Sequence, residues 1–314
     1  MPKIGIGLLG TNGHQIAQLL RDHSRAEIAA AEDSDLDALL ADPRVAIVSL
    51  CSPRRADQVE QAVRCLQAGR HVYSEKPCAR SEADLDRILD AAGQSGRFFH
   101  EMAGTAFADP YPALAGVVRS GALGTVVQVF VQKSYPYFGG RPQDEAVDGG
   151  LFLQVGIHAA RMVEHVAGCR IAAVDVVETG RGNPVPGGGL RMAASAWMTL
   201  ENGGVASMVA NYLNQDAFGT WSNEHLRIFG TDGFVEATDG GLRTRLVLKG
   251  GDRGPVVPGW GEGLFHGDYF DAFLGQVLDG APMPLSIEEE LHPLRMLLRA
   301  HRTESKGEDA WTAH

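Results

Sequence analysis

Long apolar runs are missing from this chain. No uninterrupted stretch reaches the roughly 20 residues that a membrane-spanning helix needs, so no membrane span is expected. Basic residues are in deficit: 28 Lys and Arg stand against 39 Asp and Glu, a formal net charge of −11. A surface that neutralises phosphates needs the opposite balance, which argues against nucleic acid and anionic membrane as partners but leaves room for a local basic pocket. Cysteine is scarce. Cys51, Cys65, Cys78 and Cys169 show neither CxxC spacing nor the density of a disulfide framework. Three of them lie in or beside apolar runs, the pattern of buried free thiols in a reducing compartment, so a cytoplasmic protein without a metal centre is expected. The first residues lack the long apolar core of a secretory signal, because Lys3 leads into a strand-like run and then a glycine turn.

What is present is an ordinary globular composition, 44% hydrophobic and 21% charged, over 314 residues, enough for two domains. Strand and helix patterns alternate through the first third. Lys3 to Leu9 reads as a buried strand closing on Gly10-Thr11-Asn12-Gly13, and His14 to Arg21 as a helix. Further strands are read at Glu27 to Ala31, at Val45 to Leu50 (ending on Cys51-Ser52-Pro53), before Lys76, and at Phe98-Phe99, with helices between them. This alternation predicts an α/β Rossmann-type domain, a doubly wound parallel sheet over residues 1–103. Residues 104–314 read differently. A helix at Tyr111 to Arg119, a strand at Val126 to Gln132, a polar and aromatic loop from Ser134 to Gly150 and a helix at Phe152 to Ala167 precede a series of strands parted by glycine turns. That predicts an α+β domain with a mostly antiparallel open sheet.

Three sets of residues carry chemistry. Gly7, Gly10 and Gly13 bracket the first turn. Counting from Gly10, the usual dinucleotide fingerprint would place glycines at Asn12 and Gln15. Asn12 substitutes if it takes a positive φ. Gly13 then approaches the pyrophosphate one residue late, with the following helix presenting free N–H groups. Glu32 and Asp33 end the second strand, where a carboxylate would accept from a ribose 2′-hydroxyl and repel a 2′-phosphate, which favours NAD over NADP. The second set is Tyr73-Ser74-Glu75-Lys76-Pro77. Proline keeps the preceding lysine out of helical backbone space, which sets an ammonium at the carboxyl end of a strand, where open α/β sheets bind ligands. The third is a polar stripe, Gln154, His158, Arg161 and His165, on one face of the apolar helix, beside an aromatic loop bearing Tyr135, Tyr137 and Arg141. A cleft wall explains the stripe better than four separately satisfied core residues.

With these sets in hand, the chain resembles the glucose-fructose oxidoreductase, inositol dehydrogenase and rhizopine-catabolism (Gfo/Idh/MocA) family over nearly its whole length. The segment Ala68-Gly69-Arg70-His71-Val72-Tyr73-Ser74-Glu75-Lys76-Pro77 is similar to the family's AGxHVxxEKP run. Ser52-Pro53, Gly121-Ala122-Leu123-Gly124, Gly149-Gly150 with Gly156-Ile157-His158, and Gly230-Thr231-Asp232-Gly233 match further family motifs.

The resemblance implies a Rossmann sheet of order 3-2-1-4-5 and a bound nicotinamide dinucleotide touching Thr11, Ser52, Pro53, Glu75, Lys76 and Pro77, with a bond before Pro77 that is often cis. It implies hydride transfer to or from a sugar, polyol or sugar-acid hydroxyl, with Lys76 near the nicotinamide and His158 as proton acceptor or donor. It also implies a homodimer or homotetramer through the C-terminal sheet. Two departures stand out. The family aspartate four residues before the histidine is Gln154, which cannot hold a negative charge beside His158. Arg54-Arg55 after the third strand, with Arg161 and Arg141, suggests a cationic pocket for a carboxylated substrate, in which Gln154, Tyr137, Arg141 and Arg161 bind it. The alternatives are a non-catalytic dinucleotide-binding regulator, and an enzyme of the same fold that retains NAD for lyase or epimerase chemistry.

Overall fold

The computed structural model describes residues 3–31 and 35–304. The chain forms two compact units. Of the described residues, the first takes those up to Ala103, with Ala146–Gly149 and Tyr269–Leu291, and the second takes Gly104–Glu145, Gly150–Asp268 and 292–304.

In the first unit, five parallel strands, β1 (Ile4–Leu9), β2 (Ala26–Ala30), β3 (Val45–Leu50), β4 (His71–Ser74) and β5 (Phe99–Glu101), alternate with helices α1 (Ala17–Leu20), α2 (Leu36–Ala41), α3 (Arg55–Gln67) and α4 (Glu82–Ser95). The order is β2-β1-β3-β4-β5, not the expected 3-2-1-4-5. Burial explains the difference. β3 is apolar on both faces and buried almost throughout, so it takes an interior place, whereas β2 exposes Glu27 and Ile28 and forms the edge. The winding reverses between β1 and β3, so the carboxyl ends of these two strands make the switch point at which such sheets bind ligands.

Tyr269–Leu291 complete this unit. Phe270 and Phe273, on the helix Tyr269–Asp279, pack on Tyr73 of β4 with ring centroids 5.2 and 5.6 Å apart. Glu290 is buried. It accepts the Glu101 backbone N–H and the Tyr269 hydroxyl, each at 2.6 Å, and lies 2.6 Å from His100 Nδ1. Burial pulls the His100 pKa down, but the Glu290 charge and the hydrogen bonds from Glu290 and Gln276 outweigh it and raise it above the ordinary histidine value.

The second unit is built on an eight-stranded sheet: β6 (Val126–Pro136), β7 (Ile171–Thr179), β8 (Ala193–Leu200), β9 (Val205–Asn214), β10 (Asn223–Gly230), β11 (Gly233–Thr238), β12 (Arg243–Leu248) and β13 (Gly251–Gly254). The order is β13-β12-β11-β10-β6-β9-β8-β7, with every pairing antiparallel except β6 with β9. β8 alternates buried Ala194, Ala196, Met198 and Leu200 with exposed Ser195, Trp197 and Thr199, the two-period signature of a sheet covered on one face. Helix α5 (Tyr111–Arg119) and the helical run from Gly150 to Val166 lie on the covered face. That run is not the single helix expected from Phe152 to Ala167. It breaks at Val155, resumes over Gly156–Arg161 and widens into a π-turn over Met162–Val166, where the Ala167 N–H donates five residues back to Met162. β6 also runs through Pro136, so Tyr135 sits on a strand rather than in the loop.

Candidate active site

The first unit gathers its polar residues at the carboxyl ends of β1, β3 and β4. Gly10 has φ +72°, and a side chain there would press within 2.3 Å of the Cys51 carbonyl oxygen, so glycine is needed for the turn to pass β3. Asn12 does not take the expected left-handed backbone; among the described residues the only such non-glycine is Asp239. Asn12 acts through its amide, which donates to the Pro53 and Val147 carbonyls at 3.1 and 2.8 Å. The expected helix N-terminus at Gly13 is absent. α1 starts at Ala17 and has only four residues, and the His14 N–H donates to Glu75 Oε2 at 2.6 Å. Gly13, at φ +127°, leaves room for that carboxylate: a Cβ there would stand 2.5 Å from Glu75 Cδ. Burial pushes the Glu75 pKa up, but the His14 hydrogen bond and the Lys76, His14 and Arg55 charges overcome this and hold it at about 2.

Lys76 is 2% exposed, its Nζ lies 3.8 Å from Glu75 Oε1, and the Lys76–Pro77 bond is cis. Pro77 faces Gly149, where a Cβ would come within 2.5 Å of the ring. Ser52 is buried, with its hydroxyl donating to Gln61, while Pro53 beside it is exposed. Gly7 lies deeper, against the Leu39 side chain, and supports packing rather than the turn. Thr11, Gly13, His14, Pro53 and Arg54 present exposed surface at the switch point. Glu32 and Asp33 fall outside the described residues.

Arg55, read from the sequence only as part of a cationic loop, and Gln58, which carries no motif there, organise this edge. Arg55 is buried and donates to the Asn12, Ser52 and Lys76 carbonyls, joining the ends of β1, β3 and β4. Its donors are thus engaged on backbone beneath the surface, while Arg54 beside it is exposed. Gln58 donates to the Glu75 and Pro77 carbonyls and accepts from the Ser52 N–H. The readable signal was two polar residues three apart on the face that α3 otherwise buries with Val59, Ala62 and Val63.

In the second unit, His158 is buried and its Nδ1 lies 2.6 Å from Thr105 Oγ1. The Tyr135 ring meets the imidazole edge to face at 6.2 Å. Gln154, in the family aspartate's place, accepts the Tyr212 hydroxyl at 2.7 Å. Arg141 stacks on Tyr212, its guanidinium carbon 3.6 Å from the ring centre, and on Phe138 at 4.5 Å, and donates to the Pro136 carbonyl. Arg161 is fully buried on the same helical run, and Tyr137 is half-buried just past β6. Beside Tyr135, Lys133 pairs with Glu224; burial pulls the lysine pKa below its ordinary range despite that carboxylate. Thr105 and Tyr212 carried no motif in the sequence. The first lies in a short 3-10 turn, and the second is one inward position among many on β9.

All four cysteines are buried free thiols. Among the described residues no cluster of His, Cys, Asp or Glu could hold a metal ion, and no helix is long and apolar enough to cross a membrane.

Comparison with known proteins matches residues 5–102 to an oxidoreductase family with an NAD-binding Rossmann fold and residues 111–236 to the GFO/IDH/MocA C-terminal domain. An uncharacterized oxidoreductase of Rhizobium meliloti is 24% identical over 97% of this chain and 93% of its own length. A myo-inositol 2-dehydrogenase of Thermotoga maritima is 27% identical over 45% of this chain and 41% of that protein. Among solved structures, a Thermotoga maritima protein superposes with a TM-score of 0.83 at 23% identity, covering 96% of this chain and 98% of its own.

Proposed function

Because the chain belongs to the Gfo/Idh/MocA oxidoreductase family, whose first domain is an NAD-binding Rossmann fold, we propose that it is an NAD-dependent dehydrogenase acting on a secondary hydroxyl of a sugar, polyol or sugar acid. The observation that carries this reading is the buried Lys76 ammonium, fixed between Glu75 and Pro77 at the carboxyl edge of a doubly wound sheet. The residues present fit a dinucleotide. The switch point is open at Thr11, Gly13, His14, Pro53 and Arg54, which with Ser52, Glu75 and Pro77 would hold it. A bound nicotinamide supplies the hydride acceptor or donor.

The protein's own residues then manage charge and proton. Lys76 Nζ stabilises the oxygen of the substrate hydroxyl as its proton leaves, an electrostatic contribution of about 3 kcal/mol for one well-placed donor. His158 takes or returns that proton through Nε2 while Thr105 fixes Nδ1. Gln154, Tyr137, Arg141 and Arg161 orient the substrate, Arg161 from below the surface. Residues 1–103 carry the dinucleotide, and residues 104–314 carry the substrate and, through the exposed sheet face bearing Trp197 and Val177, contacts between copies in a homodimer or homotetramer. A reducing cytoplasm suits the four thiols.

The test is fluorescence titration with NADH and NADPH, followed by a turnover panel of sugars, polyols and sugar acids with NAD. Tighter binding of NADH and turnover of at least one ring or chain hydroxyl are expected. Dinucleotide binding without turnover of any panel member would favour the regulator reading, and spectroscopically visible nucleotide that survives purification would favour the NAD-retaining one.

A further inference from the structure

In the turn between β1 and α1, the His14 side chain is 65% exposed, yet it is held by a carboxylate that is almost wholly buried. Its Nδ1 lies 3.0 Å from both Glu75 oxygens, and its backbone N–H donates to Oε2 at 2.6 Å. A carboxylate only accepts, so Nδ1 carries a hydrogen there and the ring is fixed by one edge. Glu75, held at about 2, keeps its charge over the whole range in which histidines titrate. The other ring nitrogen, Nε2, has no partner among the described residues. A second observation concerns charge. The first helix of a dinucleotide fold usually offers its N-terminus to the pyrophosphate, but α1 has four residues, starts at Ala17 and supplies none. Positive charge at this turn has to come from side chains. Around Glu75 stand Lys76 at 3.8 Å, Arg55 of α3 and the Cys51 thiol at the end of β3, which burial pushes above its ordinary pKa; Asp148, from the Ala146–Gly149 segment, acts on Arg55. Lys76 and Arg55 are buried, which leaves His14 and Arg54 on the solvent side.

We propose that His14 is a pyrophosphate-binding residue whose imidazole engages the dinucleotide with a proton on Nε2, so that cofactor binding takes up a proton. The inference rests on the dinucleotide-binding part of the dehydrogenase reading and not on turnover. A pyrophosphate offers only acceptors. Neutral imidazole with its hydrogen on Nδ1 turns a bare lone pair toward it, whereas imidazolium turns a donor and a charge. Binding therefore raises the proton affinity of Nε2. The extra attraction is complete at acid pH and is lost as pH climbs through the histidine range. Arg54, always charged, adds attraction that does not vary with pH.

The experiment is calorimetric titration of the full chain with NADH and with ADP-ribose, from about pH 6 to about pH 8, in two buffers of different ionisation enthalpy. ADP-ribose keeps the pyrophosphate without the nicotinamide, so groups at the redox end drop out. Both probes should weaken about tenfold across that range, with net proton uptake on binding. His14→Gln can still donate to Glu75 but does not titrate; it should bind both probes as weakly as the parent does at the alkaline end, with the uptake abolished. His14→Arg should bind them at every pH within a few-fold of the parent at the acid end. Urea midpoints establish that both variants are folded. The proposal is overturned if the parent's affinity does not change with pH, if proton uptake persists in His14→Gln, or if NADH shows the uptake and ADP-ribose does not. Binding without pH dependence overturns this inference alone, whereas failure of both probes to bind at any pH overturns the dinucleotide reading with it.

Discussion

The His14 backbone N–H donates to Glu75, and the same carboxylate fills the space that a side chain at Gly13 would occupy. The glycine of the first turn therefore serves a protein carboxylate as well as any ligand. Gly13→Ala should destabilise the fold by about 1–3 kcal/mol, from a strained φ of +127° and a clash with Glu75, as read from urea midpoints. NADH affinity should fall with it, because displacing Glu75 moves the turn.

Lys76→Met is expected to lower kcat by about a hundredfold or more while the NADH dissociation constant stays within a few-fold. Steady-state kinetics paired with fluorescence titration separates the two. Normal turnover in this variant removes Lys76 from the chemistry.

Arg55→Lys keeps the charge but cannot span three carbonyls. With the Asn12, Ser52 and Lys76 carbonyls no longer all matched, thermal stability should drop by about 2–3 kcal/mol. Dinucleotide binding should weaken with it, since two of those three residues belong to the turns at the switch point.

Thr105→Val should lower kcat about tenfold with little change in KM, because one hydrogen bond that orients His158 is lost while the substrate contacts remain. Thr105→Ser should restore most of it. The imidazole ¹⁵N shifts of His158 provide an independent readout: the valine variant should show a mixture of tautomers where the parent shows one.

Two buried groups give the fold opposite pH limits. Glu75, held at about 2 against an ordinary 4.5, stabilises the folded chain at neutral pH, and that stabilisation drains away as pH falls from 4.5 toward 2. His100 is raised, so its contribution is complete below the ordinary histidine range and is lost as pH climbs through its folded value. Glu75→Gln should flatten the acid limb of stability against pH, and Glu290→Gln the alkaline one, in urea midpoints taken across both limbs.

The sheet classes were readable because period-two and period-3.6 patterns are local properties of the chain. Lys76 was readable because Pro77 restricts the backbone beside it. Strand order was not, since β2 and β3 are both short and apolar enough to sit anywhere, and only their relative burial decides the centre. The burial of Arg55 is not legible either, because a guanidinium buried on carbonyls and one open to a ligand look the same in a sequence. Gln154 departs visibly from the family aspartate, yet Tyr212, whose hydroxyl it accepts, lies 58 positions away, beyond any local pattern. The polar stripe from Gln154 to His165 assumed one regular helix, and the break at Val155 and the π-turn after Arg161 alter its phase.

The Tyr269–Leu291 segment also sets a timetable for synthesis. Tyr73 finds its aromatic neighbours, and His100 and Glu101 their carboxylate partner, only in residues that leave the ribosome after every strand of the second unit. A fragment stopping short of Tyr269 lacks those partners, so its parallel sheet is expected to carry bare apolar surface and unmatched polar groups and to aggregate more readily than the longer chain.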